Sequence, residues 1–373
     1  MIIDQKPGRG ERIRPELPEK VILDVVMQRE LTTYLHRSLP MCAILSNENY
    51  RGWYYTNFVQ IISHTFENGY VELNYLTPRD GFADVAEVIS LGYPMLYLDR
   101  DFVSYAMENL CRGYYMVVHI DEFYIPDKGA YEETHFVHAS LLYGYDRGKR
   151  EFYGIGFDED MTFRKIVFDF DAMNIAFEEG SKNYMQDAFW CEWSAVQLIK
   201  PKSPQVPFPF DLRRFMEELE DYLKSEPDLY KLYSFDYDMD SFKCGMSVYD
   251  YTAEKLKEAK KGVYLIDYRA IHLIAEHKKG MYDRLEYLKG IYDVSDDYVK
   301  LTERYGKIVD KAEKLRLRFM ADFLHVRSEV QLTKAEIGTL DFSIGELKEI
   351  KKEEGEILKG ILKELKHLCK KRR

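Results

Sequence analysis

The chain has 373 residues, a formal net charge of −11 and 46% hydrophobic residues. This length predicts one large or two ordinary domains, and the hydrophobic content excludes a wholly disordered protein. The acidic balance disfavours binding to duplex nucleic acid, and the basic cluster at 370–373 is typical of a solvated helix end. No apolar run is long enough to span a membrane. The first 20 residues are polar and lack a secretory hydrophobic segment, so we expect a cytoplasmic protein.

The cysteines are few and scattered along the chain. They stand at positions 42, 111, 191, 244 and 369, and no pair has the C-x-x-C spacing of a zinc finger. An odd, scattered set is typical of reduced thiols in a cytoplasm. We therefore expect neither a metal nor another cofactor.

The first 76 residues carry mixed signals. In chain order the pattern predicts an extended arm at 1–20, a strand or a helix at 21–38, a turn into a short apolar run at 40–47, a buried helix at 52–66 and a strand at 71–76. The helix is predicted because its apolar residues recur near the helical period, and Asn68-Gly69 would end it.

Residues 84–200 combine helical and β-prone stretches. The pattern predicts helices at 84–91, 101–112 and 170–179, and strands at 94–98, 114–125, 161–170 and 190–200. Strands dominate the second part of this region and do not alternate regularly with helices. The predicted class is therefore α+β with an antiparallel sheet.

The stretch 134–160 predicts a β-hairpin. Asp146-Arg147-Gly148-Lys149 offers the side-chain hydrogen bond and the open backbone angles of a tight turn between two β-prone runs. His138 and Asp158 lie at similar distances from this turn, so pairing of the strands would bring them roughly opposite each other. A histidine beside a carboxylate forms a general base and its orienting group. His135 would point to the opposite face of a strand and is expected at the rim of the site or in a structural role.

A proline-rich segment at 201–210 separates two regions of different composition. Its four prolines exclude a helix or a central strand, so we expect a semi-rigid linker. Residues 211–373 are rich in Glu, Lys and Leu with apolar residues at helical spacing, which predicts an all-α domain. The predicted organisation is thus an extended arm at 1–20, an α+β domain at 21–200, the linker and a helical domain.

Cys42 is the candidate nucleophile for the histidine and the carboxylate. It precedes a predicted helix, and a thiol near a helix N-terminus ionises more readily than an ordinary one. Cys111 is predicted near the other end of a helix, and Cys191 stands between two tryptophans as a packed residue would. The alternative for Cys42 is a small apolar core residue.

This order of parts resembles the N-terminal domain family of butirosin biosynthesis protein H, whose fold is papain-like and whose members are often associated with nonribosomal peptide gene clusters. The resemblance covers about residues 38–200. The matching stretches are HASLLYGYD at 138–146, Phe157-Asp158, and the segments 44–47 and 53–58.

The resemblance implies an acyltransferase of secondary metabolism. In that family a cysteine accepts an acyl group from a carrier-protein thioester and passes it to an amine, while a histidine acts as base and an aspartate orients it. Carried over to this chain, the three are Cys42, His138 and Asp158, and the expected partner is an acyl carrier protein with a phosphopantetheine-linked acyl group.

Two alternatives stay open. The family's cysteine stands at the start of the long helix, where this chain has 49–52 (NYRG), so the domain can also be a catalytically degenerate binding module. A cysteine peptidase is a third interpretation.

Overall fold

The computed structural model describes residues 16–65, 71–77, 82–96, 101–226, 242–262, 266–324 and 332–371. They form antiparallel sheets and helices with a C-terminal helical region, which confirms the predicted α+β class. In the described ranges no helix combines the length and the apolar character that crossing a membrane requires.

The secondary structure comprises ten strands and ten helices within the described residues. The strands are β1 (Lys20–Ile22), β2 (Ile61–Thr65), β3 (Val71–Tyr75), β4 (Ala86–Leu91), β5 (Tyr115–Asp121), β6 (Val137–Asp146), β7 (Glu151–Phe157), β8 (Phe163–Asp169), β9 (Val196–Pro201) and β10 (Phe242–Cys244). The helices are α1 (Leu35–Ile44), α2 (Arg51–Thr56), α3 (Phe102–Cys111), α4 (Phe170–Asp187), α5 (Cys191–Ser194), α6 (Leu212–Lys224), α7 (Ser247–Ala259), α8 (Tyr268–Ile291), α9 (Asp296–Phe323) and α10 (Lys334–Lys371).

The chain divides into two compact units. The first contains the described residues of 16–27 and 87–200, and the second contains those of 28–86 and 201–371. Residues 28–86 were expected to fold with 87–200, and the structure groups them with the C-terminal helices instead.

Long-range bonds explain this grouping. The guanidinium of Arg284 on α8 is fully buried and donates to the carbonyl oxygen of Asn57 at 2.6 Å and to that of Tyr55. The ring of His277 on the same helix bonds the carbonyl oxygen of Val59 at 2.7 Å, and β10 pairs with β2. These groups bond the carbonyl oxygens of the last turn of α2 and of the residues after it. No local pattern in the sequence indicates these bonds.

The first unit is built on one antiparallel sheet with the order β4-β9-β5-β6-β7-β8, and β1 pairs with the part of β6 that extends past β5. The predicted hairpin is confirmed. Leu141 lies opposite Ile155 and Asp146 opposite Glu151, with an irregularity in the register next to Leu142. Helices α3 and α4 pack on this sheet, where the rings of Phe102 and Phe177 stack with centroids 4.2 Å apart.

Several local predictions between residues 40 and 98 are wrong. The expected turn at 40–47 lies largely inside α1, and the expected helix at 52–66 is the short α2 followed by β2. The expected helix at 84–91 contains β4, and the expected strand at 94–98 begins in a 3₁₀ turn, while 97–98 lie outside the described residues.

The backbone at Phe58 explains the largest of these errors. Asn57, the residue after α2, is already extended, Phe58 then has a left-handed φ of 57°, and the β-branched residues Ile61 and Ile62 enter a strand. The apolar spacing that indicated one buried helix therefore belongs to two buried elements of different type. Of the predicted arm, residues 1–15 lie outside the described residues, and Lys20 begins β1.

The second unit holds a charged network in its core. Glu354 of α10 is completely buried and accepts hydrogen bonds from four side chains on other helices. The donors are the ammonium of Lys278 at 2.6 Å and the hydroxyls of Tyr305 at 2.6 Å, Tyr249 at 2.5 Å and Tyr222 at 3.0 Å. A buried charge of this kind is tolerated only while its partners remain in place.

Glu354→Ala is expected to lower the free energy of unfolding by about 3–5 kcal/mol, because it leaves the ammonium of Lys278 buried without a counter-charge. Urea denaturation of the full chain measures this. Glu353→Ala is the matched control, because Glu353 directly precedes Glu354, is half-exposed and pairs with Lys311. Its loss should lower the free energy of unfolding by less than about 1 kcal/mol. Equal losses in the two variants would contradict the buried network.

Candidate active site

The site is built where β5 ends and the chain turns toward β6. Asp121, the last residue of β5, is fully buried, and its carboxylate accepts hydrogen bonds from the amides of Phe123 at 3.2 Å and Phe136 at 3.1 Å. The first bond caps a short 3₁₀ turn, Glu122–Tyr124, and the second closes the long connection before β6. The amide of Glu122 donates to the carbonyl oxygen of Phe136 at 2.9 Å. The position of Glu122 is therefore fixed by its own amide bond and by the bonds of the neighbouring Asp121 carboxylate.

Glu122 is the carboxylate partner of His138. Its Oε1 lies 3.1 Å from Nδ1 of His138, and the Glu122 side chain is only 7% exposed while that of His138 is 29% exposed. A carboxylate only accepts hydrogen bonds, so Nδ1 of His138 carries the hydrogen. No hydrogen bond from the described residues engages Nε2 of His138. A neutral ring thus keeps the lone pair of Nε2 for an incoming proton.

A second cation lies against the same carboxylate. Nζ of Lys128 is 2.9 Å from Oε1 of Glu122 and 3.2 Å from Oγ of Ser140, and the Lys128 side chain is fully buried. Burial raises the pKa of Glu122, but His138 and Lys128 outweigh that effect and lower the pKa to about 2. Glu122 is consequently ionised throughout the pH range in which a general base works.

The other histidines near this turn have partners of their own. Nδ1 of His135 lies 2.7 Å from a carboxylate oxygen of Asp121, its side chain is about half exposed, and the residue precedes β6 instead of lying in a strand. Nε2 of His119 accepts the indole N–H of Trp190 at 3.0 Å. Burial and the neighbouring His138 lower the pKa of His119 to about 4. His135 thus shares with His138 a buried carboxylate on Nδ1, but the His138 side chain is less exposed, at 29% against 48%, and its carboxylate also bears the ammonium of Lys128.

The carboxylate of Asp158 is engaged elsewhere. One of its oxygens accepts the amides of Asp160 at 3.0 Å and Thr162 at 2.8 Å, and the other pairs with the guanidinium of Arg164. These bonds build the turn between β7 and β8. The expected pairing of Asp158 with His138 does not form, because the turn uses both oxygens, and Glu122 takes the orienting position.

Cys42 is not at the start of a helix. It is the eighth residue of α1, which begins at Leu35, and its side chain is completely buried. The amides that would stabilise a thiolate stand at the opposite end of that helix. Cys42 belongs to the second unit, whereas His138 and Asp158 belong to the first. The core interpretation of Cys42 therefore fits its surroundings better than the nucleophile interpretation.

A second hydroxyl–histidine–carboxylate cluster lies in the second unit. Oγ1 of Thr32 is 3.0 Å from Nε2 of His272, which is also 3.2 Å from Oε1 of Glu276. A triad would place the carboxylate on the other ring nitrogen, but Nδ1 of His272 is buried without a hydrogen-bond partner in the described residues. Glu276 also accepts the amides and hydroxyls of Thr32 and Thr33, which ties the segment before α1 to α8. This cluster is structural.

Sequence reasoning missed Glu122 and Lys128. Glu122 falls inside the predicted strand at 114–125, which in the structure ends at Asp121, so the prediction gave it no special position. Lys128 stands in Asp127-Lys128-Gly129, which is typical of a solvated turn, and its complete burial has no local signal.

The comparisons assign no family: no family model matches the chain, and no curated protein matches it. Within the described residues no three His, Cys, Asp or Glu side chains are arranged to hold a metal ion. The chemistry open to the site therefore follows from its imidazole and its buried carboxylate. An imidazole with Nδ1–H on a buried carboxylate and an unbonded Nε2 can remove a proton from an attacking amine or hydroxyl and return it to a leaving group.

Glu122 should make the stability of the protein depend on acid pH. Its pKa is about 2 when folded against 4.5 for an ordinary glutamate, so its stabilising effect is complete above pH 5 and is lost as the pH falls from 5 to 2. The free energy of unfolding of the wild type should exceed that of Glu122→Gln by on the order of 3 kcal/mol at pH 7. That difference should shrink progressively below pH 5.

Urea denaturation between pH 2 and pH 7 measures both proteins. Glu133→Gln, an exposed residue of the same connection, is the matched control and should follow the wild type. A difference between wild type and Glu122→Gln that is constant with pH would contradict an ionised, doubly paired Glu122.

Proposed function

We propose that the chain is an acyltransferase that moves an acyl group from a thioester to an amine, with His138 as general base and without a covalent cysteine intermediate. The observation that carries this proposal is the bond between Nδ1 of His138 and the buried carboxylate of Glu122. The resemblance to the butirosin biosynthesis protein H family supplies the reaction class, the carrier-protein thioester as donor and the papain-like assignment, and all three are part of the proposal.

The proposed step balances without another reagent. The amine nitrogen attacks the thioester carbonyl carbon, and Nε2 of His138 takes the proton that the nitrogen loses. The carbon–sulfur bond then breaks, and the imidazolium returns that proton to the leaving sulfur. The products are an amide and a thiol. Glu122 holds the ring and balances its transient charge, as the buried aspartate does in a catalytic triad.

Direct transfer is preferred over a covalent route because of Cys42. A thiol that is completely buried in the middle of a helical core cannot reach a carrier-bound acyl group without unfolding its surroundings. The same burial disfavours the cysteine peptidase interpretation, which also requires this nucleophile. It favours the binding-module interpretation as the second candidate, and in that case the Glu122–His138 pair would serve only the fold.

His138→Ala is expected to reduce acyl transfer by about 10²-fold or more, because general-base catalysis contributes a factor of this size. The assay uses a panel of acyl N-acetylcysteamine thioesters of increasing chain length with a primary amine, and follows both thiol release and amide formation. His135→Ala is the matched control, since that histidine is exposed and has its own carboxylate, and it should retain activity.

Cys42→Ala distinguishes the direct route from the covalent one. Direct transfer predicts that this variant keeps the activity of the wild type in the same assay. If Cys42→Ala abolishes transfer in a folded protein, a covalent route replaces the direct one. If no thioester of the panel gives His138-dependent thiol release, the acyltransferase proposal is rejected in favour of the binding module.

A further inference from the structure

Lys128 is a cation in an unusual place. Its side chain is completely buried, although it lies in a connection whose neighbours Asp127 and Gly129 are exposed. An unpaired ammonium is rarely tolerated at such burial, so its contacts are the reason that it is retained. Those contacts are Oε1 of Glu122 at 2.9 Å and Oγ of Ser140 at 3.2 Å.

The sheet is shaped to admit this ammonium. Gly156 of β7 lies beside it, and a Cβ added to that glycine would come 2.9 Å from Nζ of Lys128 and 3.0 Å from Oγ of Ser140. Any larger residue at this position would displace one of the two groups. The second glycine of Gly154-Ile155-Gly156 is therefore explained by the space that Lys128 needs.

Lys128 and His138 share one oxygen atom. Oε1 of Glu122 accepts from Nζ of Lys128 and from Nδ1 of His138, at 2.9 and 3.1 Å. Building on the proposed function, we infer that Lys128 is a positioning residue that acts through Glu122: its ammonium compensates the charge of the carboxylate on the same oxygen that orients His138, so that Nε2 of His138 stays available as a base.

Charge balance explains the role of Lys128. A buried carboxylate facing a histidine alone would favour the imidazolium strongly, and an imidazolium cannot accept a proton. A fixed ammonium on the same oxygen compensates that charge and removes most of the reason for His138 to become charged. The hydrogen bond from Nδ1 is kept, since each carboxylate oxygen has room for two donors. Glu122 can then orient the ring without trapping it in the charged form.

Within the described residues, a further titratable neighbour of His138 is His119 on β5, whose charge coupling with His138 is repulsive. Asp158 and Arg164 pair with each other, and Arg164 is the strand partner of Gly156. Lys128 is thus the fixed charge that is bonded to the orienting carboxylate itself.

The test is the ¹⁵N and ¹³C titration of the His138 ring by NMR on the full chain, with no substrate present. Lys128→Met should move the titration midpoint of His138 upward by about one pH unit or more relative to the wild type, because the charge of Glu122 then acts on His138 alone. Lys128→Arg keeps the charge and should leave the midpoint within about 0.3 pH unit. A Lys128→Met midpoint within about 0.3 pH unit of the wild-type midpoint would overturn the inference.

A second pair of variants covers the case in which Lys128→Met does not fold. Glu122→Gln leaves the ammonium and should lower the midpoint, whereas Glu122→Gln/Lys128→Met removes both charges together and should bring it back toward the wild type. A double variant that titrates like Glu122→Gln alone would show that Lys128 has no influence.

These titrations are independent of catalysis. The predicted shifts without any thioester activity would reject the proposed function and keep the role of Lys128. His138-dependent activity without the shifts would reject the role of Lys128 and keep the function.

Discussion

The candidate site in the first unit depends on one constraint, the burial of the Glu122 carboxylate. A buried anion requires a compensating charge, which the ammonium of Lys128 supplies, and the Nδ1–H of His138 donates a hydrogen bond to the same oxygen. The 3₁₀ turn capped by Asp121 places the carboxylate, the connection between β5 and β6 brings the ammonium inward, and Gly156 leaves room for it. The orientation of the His138 ring is a consequence of this balance.

The hairpin could be predicted from sequence because its determinants are local. Asp146 and Gly148 define the turn, and the β-prone runs on both sides define the strands, so the approximate positions of His138 and Asp158 followed. A carboxylate partner for His138 was predicted correctly as a type of group, but its identity was not. The carboxylate of Asp158 accepts backbone amides of its own turn, up to four residues away. Glu122 instead reaches His138 through the pairing of β5 with β6, across a long connection.

The elements at the start of the chain could be predicted less well, because their determinants are not local. Helical periodicity finds long amphipathic helices such as α9 and α10, whose apolar faces repeat over many turns. It fails at 40–66, where α1 contains Pro40 and the backbone leaves the helical conformation at Asn57 and Phe58. The bonds that keep this segment in place come from Arg284, more than two hundred residues later. Each unit therefore depends on a buried polar group whose partners lie on other elements of the structure, and the spacing of apolar residues in the sequence does not reveal such groups.

The central claim is that Glu122 holds His138 in one tautomer with Nε2 available, and long-range ¹H–¹⁵N NMR of the imidazole rings tests it most directly. The experiment is carried out on the full-length wild type at pH 8, with His138→Gln used to assign the signals. The account predicts a ring protonated at Nδ1 alone, with an Nε2 shift typical of an unprotonated nitrogen. A ring protonated at Nε2, or at both nitrogens, would contradict it.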